Sequence, residues 1–205
     1  MIIFLAGTNK GKLGEINSFL LDQKISASLP PAQINVEENG STYHQNAYLK
    51  AMAYWNEYKV PILSDDSGLE LEDFPDLLGL QTANFRTDLD NSFDKCNAIL
   101  EVFKNSNKNF VQSRIALFRS VLCFKPNKDE VYFFEGQIQG VISKAILGDG
   151  GFGYDPIFIP KQFVEIGQTL AQLSEWKSKN SHRAKSLKEF SQFLKNYSIK
   201  KSETV

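Results

Sequence analysis

The chain has 205 residues, 42% hydrophobic and 23% charged, and its 23 Lys and Arg against 24 Asp and Glu leave a net charge of −1. That is enough chain for one domain with a real core, and there is no basic excess of the kind that non-specific nucleic-acid binding needs. Two cysteines, Cys96 and Cys123, lack metal-ligand spacing and are too few for a disulfide framework, so they read as small buried hydrophobes in a reducing compartment.

The apolar opening, Met1–Gly7, is too short to cross a bilayer and has no positively charged leader, so it predicts a buried first strand, Ile2–Ala6, in a cytoplasmic protein. A helix follows over Lys10–Leu21, with Ile16, Phe19 and Leu20 as its apolar stripe. Residues 26–36 read as a loop with a short edge strand. Thr42 and Gln45 form a capping box that opens a second helix, and Tyr43, Ala47, Ala51, Tyr54 and Tyr58 fall at core-facing spacing through Tyr58. Pro61–Ser64 reads as a short strand entering an acidic turn, Asp65-Asp66-Ser67-Gly68, before Leu69–Leu71. A helix is expected at Ser92–Lys104. Strands Arg114–Phe124 and Glu130–Gly136 should form a hairpin, and Ile138–Ile146 a further strand. Leu147–Tyr154 is a glycine-rich loop, Pro156–Ile159 a strand and Ser181–Tyr197 a last helix, leaving Ser198–Val205 as a loose tail. With no repeats, low-complexity tracts or linkers, residues 1–197 read as one mixed α/β domain.

Several constellations could carry chemistry. Gly7-Thr8-Asn9-Lys10-Gly11-Lys12 joins a strand to a helix, where free backbone N–H groups and two lysines suit an anion; an ordinary turn is the alternative. It is not a Walker A loop, because three residues rather than four separate its glycines and Leu13 follows Lys12. Asp65 and Asp66 are delivered by an apolar strand into a stretch without Lys or Arg between Lys59 and Arg86. Their side chains must point to opposite faces, so one can meet a hard cation such as Mg²⁺ while the other is held by the protein. Glu37 and Glu38 offer a second metal carboxylate or are solvated. Asn46 and Lys50 share a polar helix face, either wet or against phosphate. Residues 148–156 hold four glycines in six positions, with Phe152 and Tyr154 able to stack on a base or to join the core. Ser181 suits an N-cap, after which His182 and Arg183 could donate to a keto oxygen on a purine or simply open a helix. No Gly-x-Ser-x-Gly elbow accompanies these residues, which argues against a Ser-His-Asp hydrolase.

Taken in order, the chain resembles the inosine triphosphate pyrophosphatase family, the Ham1-like housecleaning hydrolases. The resemblance rests on Thr8 to Lys12, Glu37-Glu38, Asn46-Ala47, Lys50-Ala51, Ser64-Asp65-Asp66-Ser67-Gly68-Leu69, Phe152-Gly153-Tyr154-Asp155-Pro156-Ile157-Phe158, Leu173-Ser174, Lys177 and Ser181-His182-Arg183, over residues 2–190. It implies a homodimeric α/β protein with a long central mixed sheet flanked by helices, in two lobes with the site in their cleft. The substrates would be ITP, dITP and XTP, cut to monophosphate and pyrophosphate, with Mg²⁺ as cofactor and no nucleic-acid or membrane partner. By matching positions, Gly7 to Lys12, Lys50 and Ser67 would bind the triphosphate. Asp66 would be general base and metal ligand, with Glu37 or Glu38 as second ligand. Phe152, Gly153, Tyr154, Asp155, Lys177, His182 and Arg183 would receive the base. This sequence departs from the pattern in its Gly7-Thr8 order and in Gln45, Asn84 and Trp176. The rival readings are a Maf-type pyrophosphatase, against which Ser181-His182-Arg183 argues, and a nucleotide sensor, which would need no general base.

Overall fold

The computed structural model describes residues 2–7, 9–20, 25–106 and 113–202. A six-stranded sheet has the order β2-β1-β3-β4-β5-β6. β1 (Ile2–Ala6) runs parallel to β2 (Ser26–Ser28) and to β3 (Ile62–Leu71), with Phe4 opposite Ser28 and Ile62. β4 (Ile115–Lys125) and β5 (Tyr132–Ile142) follow, and β6 (Phe158–Pro160) pairs antiparallel with β5. Parallel and antiparallel pairs together make the sheet mixed, as expected. Two compact units divide the chain: Met1–Asp66, Ser120–Gly136 and His182–Val205 form one, and Ser67–Arg119 with Gln137–Ser181 the other.

In the first unit, α1 (Lys10–Leu20) buries Ile16 and Leu20 against α5 (His182–Ser202) and β2. On α5 the core positions Leu187, Phe190 and Leu194 recur at helical spacing and meet Ile3, Leu5, Leu63 and Phe124. α2 (Tyr43–Tyr58) starts as predicted, with Thr42 accepting from the Gln45 N–H. The reciprocal half of the capping box shifts by one residue, since the Gln45 side chain accepts from the Ser41 N–H at 2.7 Å. Ala47, Ala51 and Tyr54 are buried, and Tyr58 is half-buried with its hydroxyl on the Ala32 carbonyl.

In the second unit, α3 (Ser92–Asn105) is capped by Asn91 and buries Cys96, Ile99 and Phe103 among Leu69, Leu71, Phe118, Ile142, Phe158 and Leu170. Both cysteines are free and buried, and burial pushes each thiol up to about 12. A further helix, α4 (Ser174–Asn180), went unpredicted because its seven residues, about two turns, give no periodic stripe.

Four expectations need correction. Asp65-Asp66-Ser67-Gly68 is no turn but the middle of the ten-residue strand β3, because tertiary partners hold its polar side chains in extended backbone. β5 likewise joins two predicted strands through Gly136, where the α5 backbone comes so close that a Cβ would sit 2.0 Å from the His182 carbonyl oxygen. Pro156 lies in a 3₁₀ turn, Asp155–Ile157, rather than in a strand. The last helix continues through Ser202 rather than ending at Tyr197, since no Gly or Pro interrupts it.

Candidate functional site

The predicted phosphate turn leaves β1 at Gly7, whose φ of 128° only glycine adopts readily. Thr8 lies outside the described residues. Asn9 then opens α1: its side-chain oxygen accepts from the Lys12 N–H at 3.0 Å, and its carbonyl accepts from the Leu13 N–H. Asn9, Lys10 and Gly11 are exposed, whereas Lys12 turns inward and keeps 22% of its side-chain surface. Its ammonium rests on Asp65 Oδ2 at 2.5 Å. Burial pulls the Lys12 ammonium below its ordinary value, against the opposing pull of Asp65.

Asp65 is almost wholly buried and collects donors from three directions. Ser120 on β4 donates to Oδ1 at 2.7 Å, while Lys12 and Arg183 share Oδ2, with Arg183 Nε at 3.3 Å and Nη2 at 3.2 Å. Burial alone would raise this carboxyl; the guanidinium and ammonium outweigh it and hold Asp65 well below the carboxylate range. Arg183 also gives Nη1 to Glu15 Oε2 at 2.6 Å. Glu15 lies one turn beyond Lys12, so α1 is clamped twice by the same pair of groups. With 2% exposure and two carboxylates on its guanidinium, Arg183 is a buried ion-pair residue here rather than an open donor for a base.

Asp66 points to the opposite side of β3, as strand alternation requires. Its Oδ1 lies 3.4 Å from Lys50 Nζ, which also donates to Glu38 Oε2 at 2.7 Å and to the Asp65 carbonyl at 2.9 Å. Asp66 Oδ2 is buried and has no hydrogen-bond partner among the described residues. Burial raises the Asp66 carboxyl above its ordinary value, with Lys50 pulling against it and Glu38 adding to it. Lys50 is shifted upward because Asp66 and Glu38 outweigh its own burial, so it stays an ammonium. Asn46, expected on a polar face either wet or against phosphate, is buried, and its side-chain oxygen takes the Gly40 N–H at 2.8 Å. Glu37 is exposed, and of the two glutamates only Glu38 reaches Lys50. Ser67 is half-buried on β3 directly after Asp66.

Two carboxylates sharing one lysine, with one carboxylate oxygen buried and without a donor, suit Mg²⁺, which takes one or two protein carboxylates and completes its shell with water and phosphate. No larger cluster of His, Cys, Asp or Glu is placed for a metal among the described residues.

In the second unit the glycine-rich loop wraps around Asp155. Its Oδ2 accepts from the Phe152 N–H at 2.8 Å and from Lys177 Nζ at 2.6 Å, and Lys177 also lies 4.4 Å over the Phe152 ring. Gly151 and Gly153 adopt positive φ, and a Cβ on Gly151 would strike Asp155. The Tyr154 ring belongs to the core, with its hydroxyl toward the Thr82 carbonyl, so of the two loop aromatics only Phe152 remains half-exposed. His182 is buried at the start of α5, and Ser181, the expected cap, is extended between α4 and α5. Asn84 bonds to Gln81, and Trp176 meets the Phe163 ring edge-on.

Glu15 and Ser120 join the predicted residues. Glu15 reads as an ordinary exposed helix position and Ser120 as a polar interruption in an apolar strand; the latter is the one clue available.

The profile of the Ham1 family matches residues 3–193. A dITP/XTP pyrophosphatase of Aquifex aeolicus (strain VF5) is 36% identical over 96% of this chain and 98% of its own length. One of Malacoplasma penetrans (strain HF-2) is 37% identical over 96% and 99%. Among solved structures, a HAM1 protein from Coxiella burnetii superposes with a TM-score of 0.81 at 28% identity, over 96% of this chain and 99% of that one. The Ham1 protein of Staphylococcus aureus gives 0.76 at 30%, over 96% and 100%. The chain belongs to the Ham1 family.

Proposed function

We propose that this protein is a Mg²⁺-dependent pyrophosphatase of deaminated purine nucleoside triphosphates, converting dITP, ITP and XTP to monophosphate and pyrophosphate. The relatives' names support the substrates, and one local observation supports the chemistry. Asp65 and Asp66 share a strand but not an environment: Asp65 is saturated by cations, whereas Asp66 keeps a buried oxygen without a donor beside Lys50 and Glu38.

In this reading Asp66 orients the attacking water and takes its proton as the water oxygen bonds to the α-phosphorus. The bond from that phosphorus to the bridging oxygen breaks, and pyrophosphate departs. Lys50 would offset the developing phosphate charge, and Lys12 with the N–H groups opening α1 would take phosphate oxygens. Asp66 and Glu38 would hold Mg²⁺, which when bound supplies further neutralisation of the leaving pyrophosphate. Phe152, half-exposed and braced by Asp155 and Lys177, is the proposed stacking surface for the base, and His182 a proposed donor to it. The resemblance also supports a cytoplasmic homodimer, and light scattering at the monomer mass would reject the dimer.

Asp66→Asn preserves shape and removes both the base and a metal charge. Turnover should fall at least about 10²–10⁴-fold while the circular dichroism spectrum is retained. Near-wild-type turnover in saturating Mg²⁺ would reject the mechanism.

A further inference from the structure

We propose that Ser120 is a positioning residue for the phosphate lysine: its buried hydroxyl orients Asp65, and Asp65 orients Lys12. The inference rests on the reading of Lys12 as a phosphate ligand.

Ser120 lies on β4 with no solvent exposure, so its single hydroxyl proton must go to a protein group. It goes to Asp65 Oδ1 at 2.7 Å, a length typical of a hydroxyl donating to a carboxylate. Ser186 Oγ on α5 lies 3.3 Å from Ser120 Oγ. Ser186 donates its own proton to the Arg183 carbonyl at 3.0 Å, so it makes no claim on Asp65 and Ser120 is the hydroxyl that sets the carboxylate.

The consequence is orientational. With Oδ1 taken by Ser120, Oδ2 is the oxygen turned to Lys12 at 2.5 Å and to the Arg183 guanidinium. A lysine carries its charge on a flexible four-carbon stem, so its placement depends on what holds the ammonium. Lys12 is held by an oxygen whose direction Ser120 sets. When Lys12 turns to a phosphate, Ser120 and Arg183 still satisfy the buried carboxylate, so Lys12 can leave without exposing an unpaired charge to the interior.

Ser120→Ala should therefore raise KM for dITP about tenfold, as expected for a lost bond to a charged group, with kcat within about twofold of wild type. Ser120→Cys, a near isostere with a weaker donor, should fall between Ser and Ala. If the alanine variant is too unstable to assay, the cysteine variant carries the comparison alone, and a wild-type KM there overturns the proposal. The decisive arm is a double-mutant cycle: in a Lys12→Ala background, Ser120→Ala should change KM less than about twofold, because the residue it acts through is gone. An equal rise in both backgrounds, or an unchanged KM with a lowered melting temperature, assigns Ser120 a structural role and overturns the proposal. A wild-type enzyme without turnover of dITP rejects the functional reading instead, and so separates the two failures.

Discussion

Asp65 and Asp66 are chemically the same group one residue apart, and the sheet makes them different. Alternation sends Asp65 toward Lys12, Ser120 and Arg183, where charge and hydrogen bonds keep it ionised, and Asp66 toward Lys50 and Glu38, where burial raises it. The same cluster holds Arg183. Removing it by Arg183→Ala would leave Asp65 and Glu15 without their guanidinium, and breaking a buried ion pair typically costs about 3–5 kcal/mol. Urea denaturation should register that loss, while activity on dITP and dATP should fall together. A selective loss on dITP with unchanged stability would return Arg183 to base reading. That residue also marks what a sequence can convey. The glycine turn and the aspartate pair could be picked out in the sequence because one opens a helix and the other lies in a stretch without Lys or Arg, and Lys50 because it lies one helical turn from Asn46. The Arg183 contacts could not, since they join residues 118 and 168 positions apart.

Among elements, glycines separate packing from propensity. Gly136 stands where β5 meets the start of α5; a Cβ there would lie 2.0 Å from the His182 oxygen and 2.7 Å from the Ser186 nitrogen, both backbone atoms that cannot step aside. Gly14 is exposed within α1, and a Cβ would meet nothing within 4 Å. Gly14→Ala should therefore stabilise by about 0.8–1 kcal/mol through helix propensity, whereas Gly136→Ala should destabilise severely. Thermal melts of the two variants test this, and a stable Gly136→Ala protein would contradict the packing described. Gly136 also explains why two strands were expected where one exists. A glycine ends an alternating pattern on paper, but here it continues the strand and admits a neighbouring backbone. Asp-Asp-Ser-Gly misled for a related reason, since local turn preference yielded to partners supplied by α1, α2, β4 and α5. The helices α1, α2, α3 and α5 were legible from their apolar periodicity and caps.

At the scale of the whole molecule, the fold is shared with the Ham1 proteins, and the polar cluster of Lys12, Lys50, Asp65, Asp66, Ser120 and Arg183 belongs to a single unit. Among the described residues no helix is long and apolar enough to cross a membrane. The central claim is the bond that is cut and the base that is preferred. Phosphorus NMR of the wild-type protein with dITP or dATP and Mg²⁺ tests both at once. The account predicts that dITP gives dIMP and pyrophosphate in equal amounts, without an orthophosphate signal, and that dATP reacts far more slowly. Orthophosphate with dIDP as the first products, or equal consumption of dATP, would contradict it.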